Sequence, residues 1–340
     1  MITPKPTPPE AIPTEATSPK SASSKPSLLQ LLALPIVPDA QKRLERHFNV
    51  IRLWEHSNPN AAMDEHGQNI AVLVTSALTA ARTQLIQQLP SLQAICSVGV
   101  GYDNIDVALA RERGIQVSNT PDVLNDCVAD LTWGLIISTA REMGRAERYV
   151  RNNQWEQTIS SLPLARRVSG KRLGIIGLGR VGLAVAQRSA GFAMDIRYHN
   201  RKPRTDVPWL YESSLSELAE WADILVVATV GGANTRHLID QQILKALGPE
   251  GFLINIARGS VVDQKALIEA LQNGVIAGAG LDVFEAEPNV PDVLKTMDNV
   301  VLLPHIASAT LETRQAMVNL MLDNVDAFAT TGKVLTPVTS

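Results

Sequence analysis

The amino-acid sequence predicts an α/β fold with two doubly wound parallel-sheet domains. The chain has 340 residues, and since a domain averages roughly 150 residues, this length holds about two of them. Hydrophobic residues make up 45% of the chain and charged residues 19%, values that are typical of a globular protein with a sizeable core. From Leu28 onward, short β-branched runs alternate with helix-like stretches, which is the pattern of consecutive βαβ units.

The first series of segments predicts one parallel sheet within residues 28–117. Three apolar runs are expected to be strands, and a polar stretch between two of them is expected to be a helix. The strands are Leu31–Ile36, Ile70–Val74 and Ala94–Val98, and the helix is Ala81–Leu89. A strand, a helix and a second strand in this order form the repeating unit of a parallel sheet.

A helix start signal follows this first series. Thr120 can cap a helix, Pro121 suits the first helical position, and Asp122 complements the positive end of the helix dipole. We expect this helix to run to about Arg141, which makes it long enough to bridge two domains.

A second alternating series begins at Lys171. It contains six predicted strands with helices between them, as in a complete doubly wound sheet. One of these helices, Lys265–Leu271, is followed by Gly274, a residue type that commonly ends helices. We assign residues 118–304 to this second domain. The predicted strands are Leu173–Ile176, Ile196–His199, Ile224–Val227, Leu253–Ile256, Ala277–Leu281 and Val300–Leu303.

The last segment predicts a long helix, from Thr310, that packs on a domain surface. One face of this helix carries apolar side chains at helical spacing. They are Met317, Leu320, Met321, Val325 and Phe328. We assign residues 305–340 to the first domain, so the chain crosses twice between the domains and a hinge between them is expected.

Charge and hydropathy exclude several classes of protein. The net charge of −3 gives no field that would recruit nucleic acid or an acidic membrane surface. The longest apolar run, Leu131–Ala140, is shorter than the roughly 18 to 20 residues that cross a bilayer. Residues 1–27 are rich in proline, serine and threonine and lack a hydrophobic run. We therefore expect a disordered tail in place of a secretory signal, and a cytoplasmic protein.

The chain has two cysteines, Cys96 and Cys127, which lie in apolar sequence without paired spacing. A disulfide framework or a zinc site would need such spacing. We expect both thiols to be small buried apolar groups, with no metal site.

The segment Gly177–Gly182 has the spacing Gly-x-Gly-x-x-Gly between a predicted strand and a predicted helix. In this setting Gly177 allows a tight turn, Gly179 allows a pyrophosphate to approach, and Gly182 allows close packing of helix on strand. The free N–H groups and the dipole of the helix complete a phosphate site. The alternative is a glycine-rich turn that only packing requires. The flanking elements favour a dinucleotide-binding loop.

The end of the next predicted strand indicates which dinucleotide binds. NAD sites usually place an acid there, which hydrogen-bonds the ribose hydroxyls. This chain has Asn200, Arg201 and Lys202, with Arg204 close behind. A neutral asparagine does not repel a 2′-phosphate, and a guanidinium binds one through charge-assisted hydrogen bonds. We predict NADPH as the cofactor, with NADH bound more weakly; a solvated basic turn is the alternative.

Three ionisable residues follow predicted strands of the second series: Arg258, Glu287 and His305. Because ligands bind outside the carboxyl ends of the strands in such sheets, all three are expected to converge. A carboxylate beside an imidazole keeps it protonated until a substrate oxygen needs the proton. An arginine offers a planar fork to a substrate carboxylate. Taken singly, each residue also has a structural interpretation. His305 could be a histidine with satisfied hydrogen bonds, Arg258 part of a surface ion pair, and Glu287 an ordinary loop carboxylate.

Six segments together resemble one enzyme family. They are Val98–Asp106, Asn119–Val123, Gly177–Gly182, Asn255–Gly259, Gly280–Glu285 and Leu303–His305. In this order they are similar to the motifs of NADP-dependent D-2-hydroxyacid dehydrogenases, in the branch of hydroxypyruvate, glyoxylate and hydroxyphenylpyruvate reductases. The resemblance covers essentially everything after residue 28. It implies a flavodoxin-like substrate domain and a Rossmann NADP-binding domain with a cleft between them.

The resemblance also implies a role for each site residue. Arg258 would anchor the substrate, His305 would act as acid and base, and Glu287 would orient His305. The remaining implied contacts are the N–H groups of Val100 and Gly101 with the substrate carboxylate, Gly177, Leu178, Gly179, Arg180, Val181 and Gly182 with the pyrophosphate, Asn200, Arg201 and Lys202 with the 2′-phosphate, and Ile256 and Asp282 with the nicotinamide.

Two positions depart from the family pattern. Asp130 stands where many members carry glutamate, although the reductase branch also uses aspartate. The loop of residues 229–235 lacks the usual proline-containing sequence.

The expected activity is reduction of a small 2-keto acid to the D-2-hydroxy acid with NADPH. Hydroxypyruvate and glyoxylate are the first candidates for substrate, and aryl pyruvates come second. A dinucleotide-sensing co-repressor, with residues 1–27 as its docking segment, is one alternative. The other is an NAD-dependent phosphoglycerate dehydrogenase, which the basic turn and the end of the chain at Ser340 disfavour. We expect a homodimer, in which Trp155 either reaches the partner's cleft or anchors the interface.

Overall fold

The structure, a computed structural model, describes residues 25–157 and 162–338. Most of the predicted disordered tail, residues 1–24, lies outside these ranges. At its inner end the prediction is wrong, because Ser27 already belongs to the first strand. None of the helices formed by the described residues is long and apolar enough to cross a membrane.

The first sheet has five parallel strands in the order β2-β1-β3-β4-β5. This is the flavodoxin-like order, in which the strand sequence reverses direction between β1 and β3. The prediction that the first domain is a flavodoxin-like α/β domain with a parallel sheet is therefore confirmed. The strands are β1 (Ser27–Gln30), β2 (Asn49–Arg52), β3 (Ile70–Ser76), β4 (Ala94–Val98) and β5 (Gln116–Ser118), and the helices between them are α1 (Ala40–His47), α2 (Pro59–His66), α3 (Thr83–Gln87) and α4 (Val107–Glu112).

The predicted strand Leu31–Ile36 is wrong, since β1 ends at Gln30 and the chain then becomes irregular. The apolar residues that β1 buries are Leu28 and Leu29, which lie before the predicted start, whereas Leu34 is the buried residue of the irregular stretch that follows. Pro35 has no N–H group to donate to a neighbouring strand. A prediction based on hydrophobicity alone therefore starts the strand a few residues too late.

Three helices connect the two sheets: α5 (Asn125–Ala140), α6 (Met143–Arg151) and α7 (Gln154–Gln157). The predicted capping by Thr120 is wrong. Its Oγ1 accepts a hydrogen bond from the Gly99 N–H at 2.9 Å, and Asp122 has a φ of 69°, which a right-handed helix does not allow. The helix therefore starts at Asn125, and Thr120 instead fixes the loop after β4.

The second sheet has seven parallel strands in the order β12-β11-β10-β9-β6-β7-β8. This is the Rossmann order with one further strand at the end, and its direction reverses between β6 and β9. Strand β8 was not predicted, because a strand of only two residues shows no recognisable sequence pattern. The strands are β6 (Arg172–Ile176), β7 (Asp195–His199), β8 (Leu210–Tyr211), β9 (Ile224–Val227), β10 (Phe252–Asn255), β11 (Gly278–Leu281) and β12 (Val300–Leu302), and the helices are α8 (Arg180–Arg188), α9 (Leu215–Trp221), α10 (Gln241–Leu247), α11 (Gln264–Gln272), α12 (Asp292–Lys295) and α13 (Leu311–Thr331).

Helix α13 returns to the first sheet, where it packs against α1 and β4. The helix begins at Leu311, close to the predicted start, and Thr310 caps it by accepting a hydrogen bond from the Thr313 N–H. Arg43 of α1 donates hydrogen bonds to Asp323 and Asp326 of α13. These contacts are consistent with a first domain of 28–117 plus 305–340 and a second of 118–304, and those boundaries stay a prediction.

The two cysteines differ in environment. Cys96 is fully buried in β4, and this burial raises the pKa of its thiol to about 11. Cys127 is only partly buried, and its Sγ lies 3.5 Å from Thr310 Oγ1. The expectation of two buried thiols is therefore wrong for Cys127.

Candidate active site

The sequence-predicted residues lie at the carboxyl ends of strands in both sheets. Val100 and Gly101 follow β4, the glycine loop follows β6, and Asn200 follows β7. Arg258 follows β10, while Asp282 and His305 come after the last two strands of the sheet. Parallel sheets gather such loops at one edge, which is where ligands bind.

His305 and Glu287 form a hydrogen-bonded pair. The Nδ1 atom of His305 lies 2.7 Å from Oε2 of Glu287, and each side chain is about a quarter exposed. The backbone of His305 has a φ of 55°, a left-handed conformation that is uncommon for a residue other than glycine. Its N–H donates to the carbonyl of Asp282 at 2.8 Å. This arrangement occupies one ring nitrogen and leaves Nε2 without a partner among the described residues.

Glu287 is held in its charged form. Burial by itself would raise the pKa of its carboxyl, but hydrogen bonds from His305 and from the Phe284 N–H outweigh burial and lower the pKa. The positive charges of His305 and Arg258 act in the same direction. Glu287 is therefore an acceptor that stabilises a positive charge on the imidazole.

Arg258 lies against the loop after β4. A Cβ added to Gly101 would come within 1.4 Å of the Nη2 atom of Arg258, so the guanidinium occupies the space that any larger residue at position 101 would fill. Its Nε donates to Asp103 at 3.0 Å, and its Nη1 donates to the carbonyl of Ala257 at 2.8 Å. The structure thus brings Gly101 of the first sheet next to Arg258 of the second.

Val100 and Ile256 lie beside these residues. The carbonyl of Val100 accepts a hydrogen bond from the Asn119 side chain at 2.8 Å. Ile256 is buried after β10, and its N–H donates to the carbonyl of Val227 at 3.3 Å. Val100 follows β4 and Ile256 follows β10, and their contacts with ligands stay predictions.

Asp282 supports the backbone around His305. Its side chain is fully buried, and its two oxygens accept hydrogen bonds from the N–H groups of Ile306 at 2.8 Å and Ala307 at 2.9 Å. Burial raises the pKa of this carboxyl, although both hydrogen bonds oppose the effect. Asp282 therefore orients the segment that carries the imidazole, a role that the sequence did not indicate.

The glycine loop fits a pyrophosphate. Gly177 has a φ of 94°, and an added Cβ there would lie 2.6 Å from the backbone nitrogen of Thr229. A Cβ on Gly182 would lie 2.2 Å from the carbonyl oxygen of Gly177. At Gly179, by contrast, an added Cβ would have no atom within 4 Å. The outer glycines are required by packing, and the middle one keeps open the space at the start of α8.

Asn200 and Arg204 attach the basic turn to this loop at Leu178. The N–H of Leu178 donates to Asn200 Oδ1 at 2.7 Å, and its carbonyl accepts from Arg204 Nη1 at 2.9 Å. Arg204 also pairs with Asp206, so its charge is already compensated. Arg201 and Lys202 are exposed and make no ion pair with any described residue.

Arg180 and Val181 open α8 directly after the glycine loop. The side chain of Arg180 pairs with Asp122 at 2.7 Å, and both groups are about two-thirds exposed. Val181 packs against the core of the second sheet.

The lowered pKa of Glu287 predicts a pH-dependent contribution to folding stability. Because the ordinary value is 4.5 and the folded value lies below it, the contribution is present above pH 4.5 and is lost as the pH falls through the folded value. The stability difference between the wild type and Glu287→Gln should therefore shrink as the pH is lowered from about 6 to below 4. Urea unfolding measures this difference, and a constant value over the range would contradict the prediction.

Comparisons with known proteins identify the family. The family model described as D-isomer specific 2-hydroxyacid dehydrogenase, NAD binding domain, matches residues 133–307. The chain is 44% identical over 308 residues to glyoxylate/hydroxypyruvate reductase A of Arabidopsis thaliana, which covers 91% of this chain and 98% of that protein. It is 41% identical, with the same shares covered, to hydroxyphenylpyruvate reductase of Plectranthus scutellarioides.

A solved structure is similar over nearly the whole length. It is the NADPH-dependent glyoxylate/hydroxypyruvate reductase of Sinorhizobium meliloti in complex with NADP and malonate. The two chains share 42% identity and superpose with a TM-score of 0.86, over 93% of this chain and 97% of the other. The chain therefore belongs to the D-isomer specific 2-hydroxyacid dehydrogenase family, in agreement with the resemblance of its motifs.

Proposed function

We propose that this protein is an oxidoreductase that reduces a small 2-keto acid to the D-2-hydroxy acid with NADPH. The observation that carries the proposal is the hydrogen bond between Glu287 and His305, at 2.7 Å, together with the positive charge of Arg258 acting on Glu287. This arrangement offers a proton donor and a carboxylate anchor near one another, as the reduction of a 2-keto acid requires.

NADPH, when bound, supplies the hydride for this reaction. The residues that would hold it are the glycine loop 177–182 for the pyrophosphate, Asn200, Arg201 and Lys202 for the 2′-phosphate, and Ile256 for the nicotinamide. Asp282 would act on the nicotinamide side of the cofactor indirectly, because it accepts a hydrogen bond from the Ile306 N–H and so fixes the backbone there. Arg201 and Lys202 have uncompensated charge, which favours a phosphorylated ribose and makes NADH the weaker cofactor.

Each active-site residue has a defined task in this mechanism. Arg258 and the N–H groups of Val100 and Gly101 bind the substrate carboxylate. His305 donates the proton on Nε2 to the keto oxygen, and Glu287 stabilises the imidazolium through Nδ1. Because Glu287 already occupies Nδ1, the proton available to the substrate is the one on Nε2.

The relatives favour glyoxylate and hydroxypyruvate as substrates, and aryl pyruvates come second because of the hydroxyphenylpyruvate reductase. Another relative, 39% identical over 93% of the chain, is a 2-ketogluconate reductase. All of these relatives are reductases, and this chain matches them over nearly their whole length. That favours reductase activity over a co-repressor or a phosphoglycerate dehydrogenase.

We also propose that the protein is a cytoplasmic homodimer. Among the described residues between 143 and 164, four large apolar side chains are strongly exposed: Met143, Val150, Trp155 and Leu164. An exposed apolar surface of this kind marks a protein–protein contact. Trp155 either anchors that interface or reaches the partner's cleft. Both cysteines are free, as is usual in a reducing compartment.

The activity is tested with a panel of 2-keto acids. The wild type should oxidise NADPH in the presence of hydroxypyruvate or glyoxylate, and His305→Gln should lower kcat by roughly 100- to 10,000-fold, because the proton donor is lost. Affinity for NADPH, measured by fluorescence titration, should be retained in the variant. Unchanged turnover in His305→Gln, or no oxidation with any 2-keto acid, would contradict the proposal.

Cofactor preference is tested with Arg201→Ala. Loss of one charged hydrogen bond to the 2′-phosphate should weaken NADPH binding by about 1.5–3 kcal/mol. NADH serves as the internal control, since it lacks this phosphate and its dissociation constant should change little. Equal losses for the two dinucleotides would show that the basic turn does not recognise the phosphate.

The dimer is tested with Val150→Asp, which places a charge in the proposed interface. Light scattering should show a dimer for the wild type and a monomer, or a concentration-dependent mixture, for the variant. Leu335→Asp is the matched control, because Leu335 is also exposed, at 58%, but lies far along the chain from this surface. A monomeric wild type, or dissociation by the control alone, would refute the proposal.

A further inference from the structure

The guanidinium of Arg258 has three nitrogens, and two of them already have protein partners. Nε lies 3.0 Å and 3.2 Å from the two carboxylate oxygens of Asp103. Nη1 donates to the carbonyl of Ala257 at 2.8 Å. Nη2 has no acceptor in the part of the chain that the structure describes, and it lies against Gly101.

The partner of Nε comes from the other sheet. Asp103 belongs to the loop after β4, whereas Arg258 follows β10, 155 residues further along the chain. Their side chains are 25% and 22% exposed, so water screens this ion pair less than a surface pair. Asp103 makes no other hydrogen bond or ion pair that involves a described side chain.

Two glycines restrict the space around this pair. A Cβ added to Gly231 would lie 2.8 Å from Arg258 Cγ and 3.4 Å from Asp103 Cγ. Gly101 lies on the side of Nη2. The guanidinium therefore has contacts along its stem, at Nε and at Nη1, and one nitrogen remains for a ligand.

We propose that Asp103 is a positioning residue, which fixes the Arg258 guanidinium so that Nη2 is presented to the substrate carboxylate beside Gly101. The inference rests on the proposed function, since it assigns the orientation of the substrate anchor. An arginine side chain has about 2 kcal/mol of rotamer entropy. Asp103 removes part of this freedom before the substrate arrives, so less is lost on binding.

Two effects of Asp103 on anion binding have opposite signs. Its negative charge opposes a second carboxylate near Arg258, while its hydrogen bonds hold the guanidinium in place. A charge-assisted hydrogen bond is worth more than a neutral one, and an arginine freed from Asp103 could turn toward other acceptors. We therefore expect orientation to dominate, so that loss of Asp103 weakens substrate binding.

Kinetics separate this role from a purely structural one. In Asp103→Ala, the KM for the preferred 2-keto acid should rise about 10-fold or more, while kcat falls less than about 3-fold, because the anchor acts on the bound substrate and the transition state alike. Asp103→Asn keeps one acceptor oxygen for Nε and should give a smaller rise in KM than Asp103→Ala. The affinity for NADPH should stay the same in both variants.

Asp106→Ala is the matched control, because Asp106 lies in the same loop but bonds Thr83 and the start of α4. It should leave KM within about 2-fold of the wild type. A similar rise in KM for the control, or a KM in Asp103→Ala within about 2-fold of the wild type, would overturn the inference.

Binding of malonate tests the inference separately from the reaction. Calorimetric titration of malonate into the NADP-loaded protein should show about 10-fold weaker binding for Asp103→Ala than for the wild type. If the wild type reduces no 2-keto acid, the proposed function fails, while the titration still decides whether Asp103 orients the anion site. Equal malonate affinities in the two proteins would overturn the role of Asp103.

Discussion

The hydrogen bond between the Glu287 carboxylate and the His305 imidazole determines which ring nitrogen is free to act. It occupies Nδ1 at 2.7 Å, so the chemistry of the histidine is confined to Nε2. Other contacts maintain this geometry: the Phe284 N–H binds Glu287, and Asp282 holds the backbone just after the histidine. The left-handed backbone at His305 is kept in place by these same contacts.

Two side chains of the site, His305 and Arg258, are arranged in the same way. Glu287 takes one nitrogen of His305 and leaves Nε2, while Asp103 takes Nε of Arg258 and leaves Nη2. Each carboxylate fixes the orientation of its partner side chain. A small anionic substrate then meets two donors whose directions are already set, which lowers the cost of ordering them on binding.

The residues that could be predicted from the sequence are those whose signal is local. The glycine loop, the basic turn and the strand ends that carry Arg258 and His305 are each specified by a few neighbouring residues. The Asp103–Arg258 pair could not be found in this way, because its partners are 155 residues apart and meet only when both sheets are assembled. An acid two residues after Gly101 was the available signal.

Other differences have the same origin. Thr120 has a capping side chain, but it bonds the N–H of Gly99 in the folded protein. Arg204 belongs to the basic turn, yet it is compensated by Asp206 and bonded to Leu178. The two-residue strand β8 is too short to show periodicity and depends on pairing with β7. In each case the local sequence is compatible with more than one arrangement, and a contact with a distant part of the chain determines which one forms.

A crystal structure of this chain with NADP and malonate is the most direct test of the roles proposed for Arg258 and His305. It should show a malonate carboxylate on Arg258 Nη2 and the amides of the loop after β4. The Nε2 atom of His305 should lie within hydrogen-bond distance of malonate, with the nicotinamide next to it. Malonate bound elsewhere, or a nicotinamide far from His305, would contradict the proposed redox chemistry.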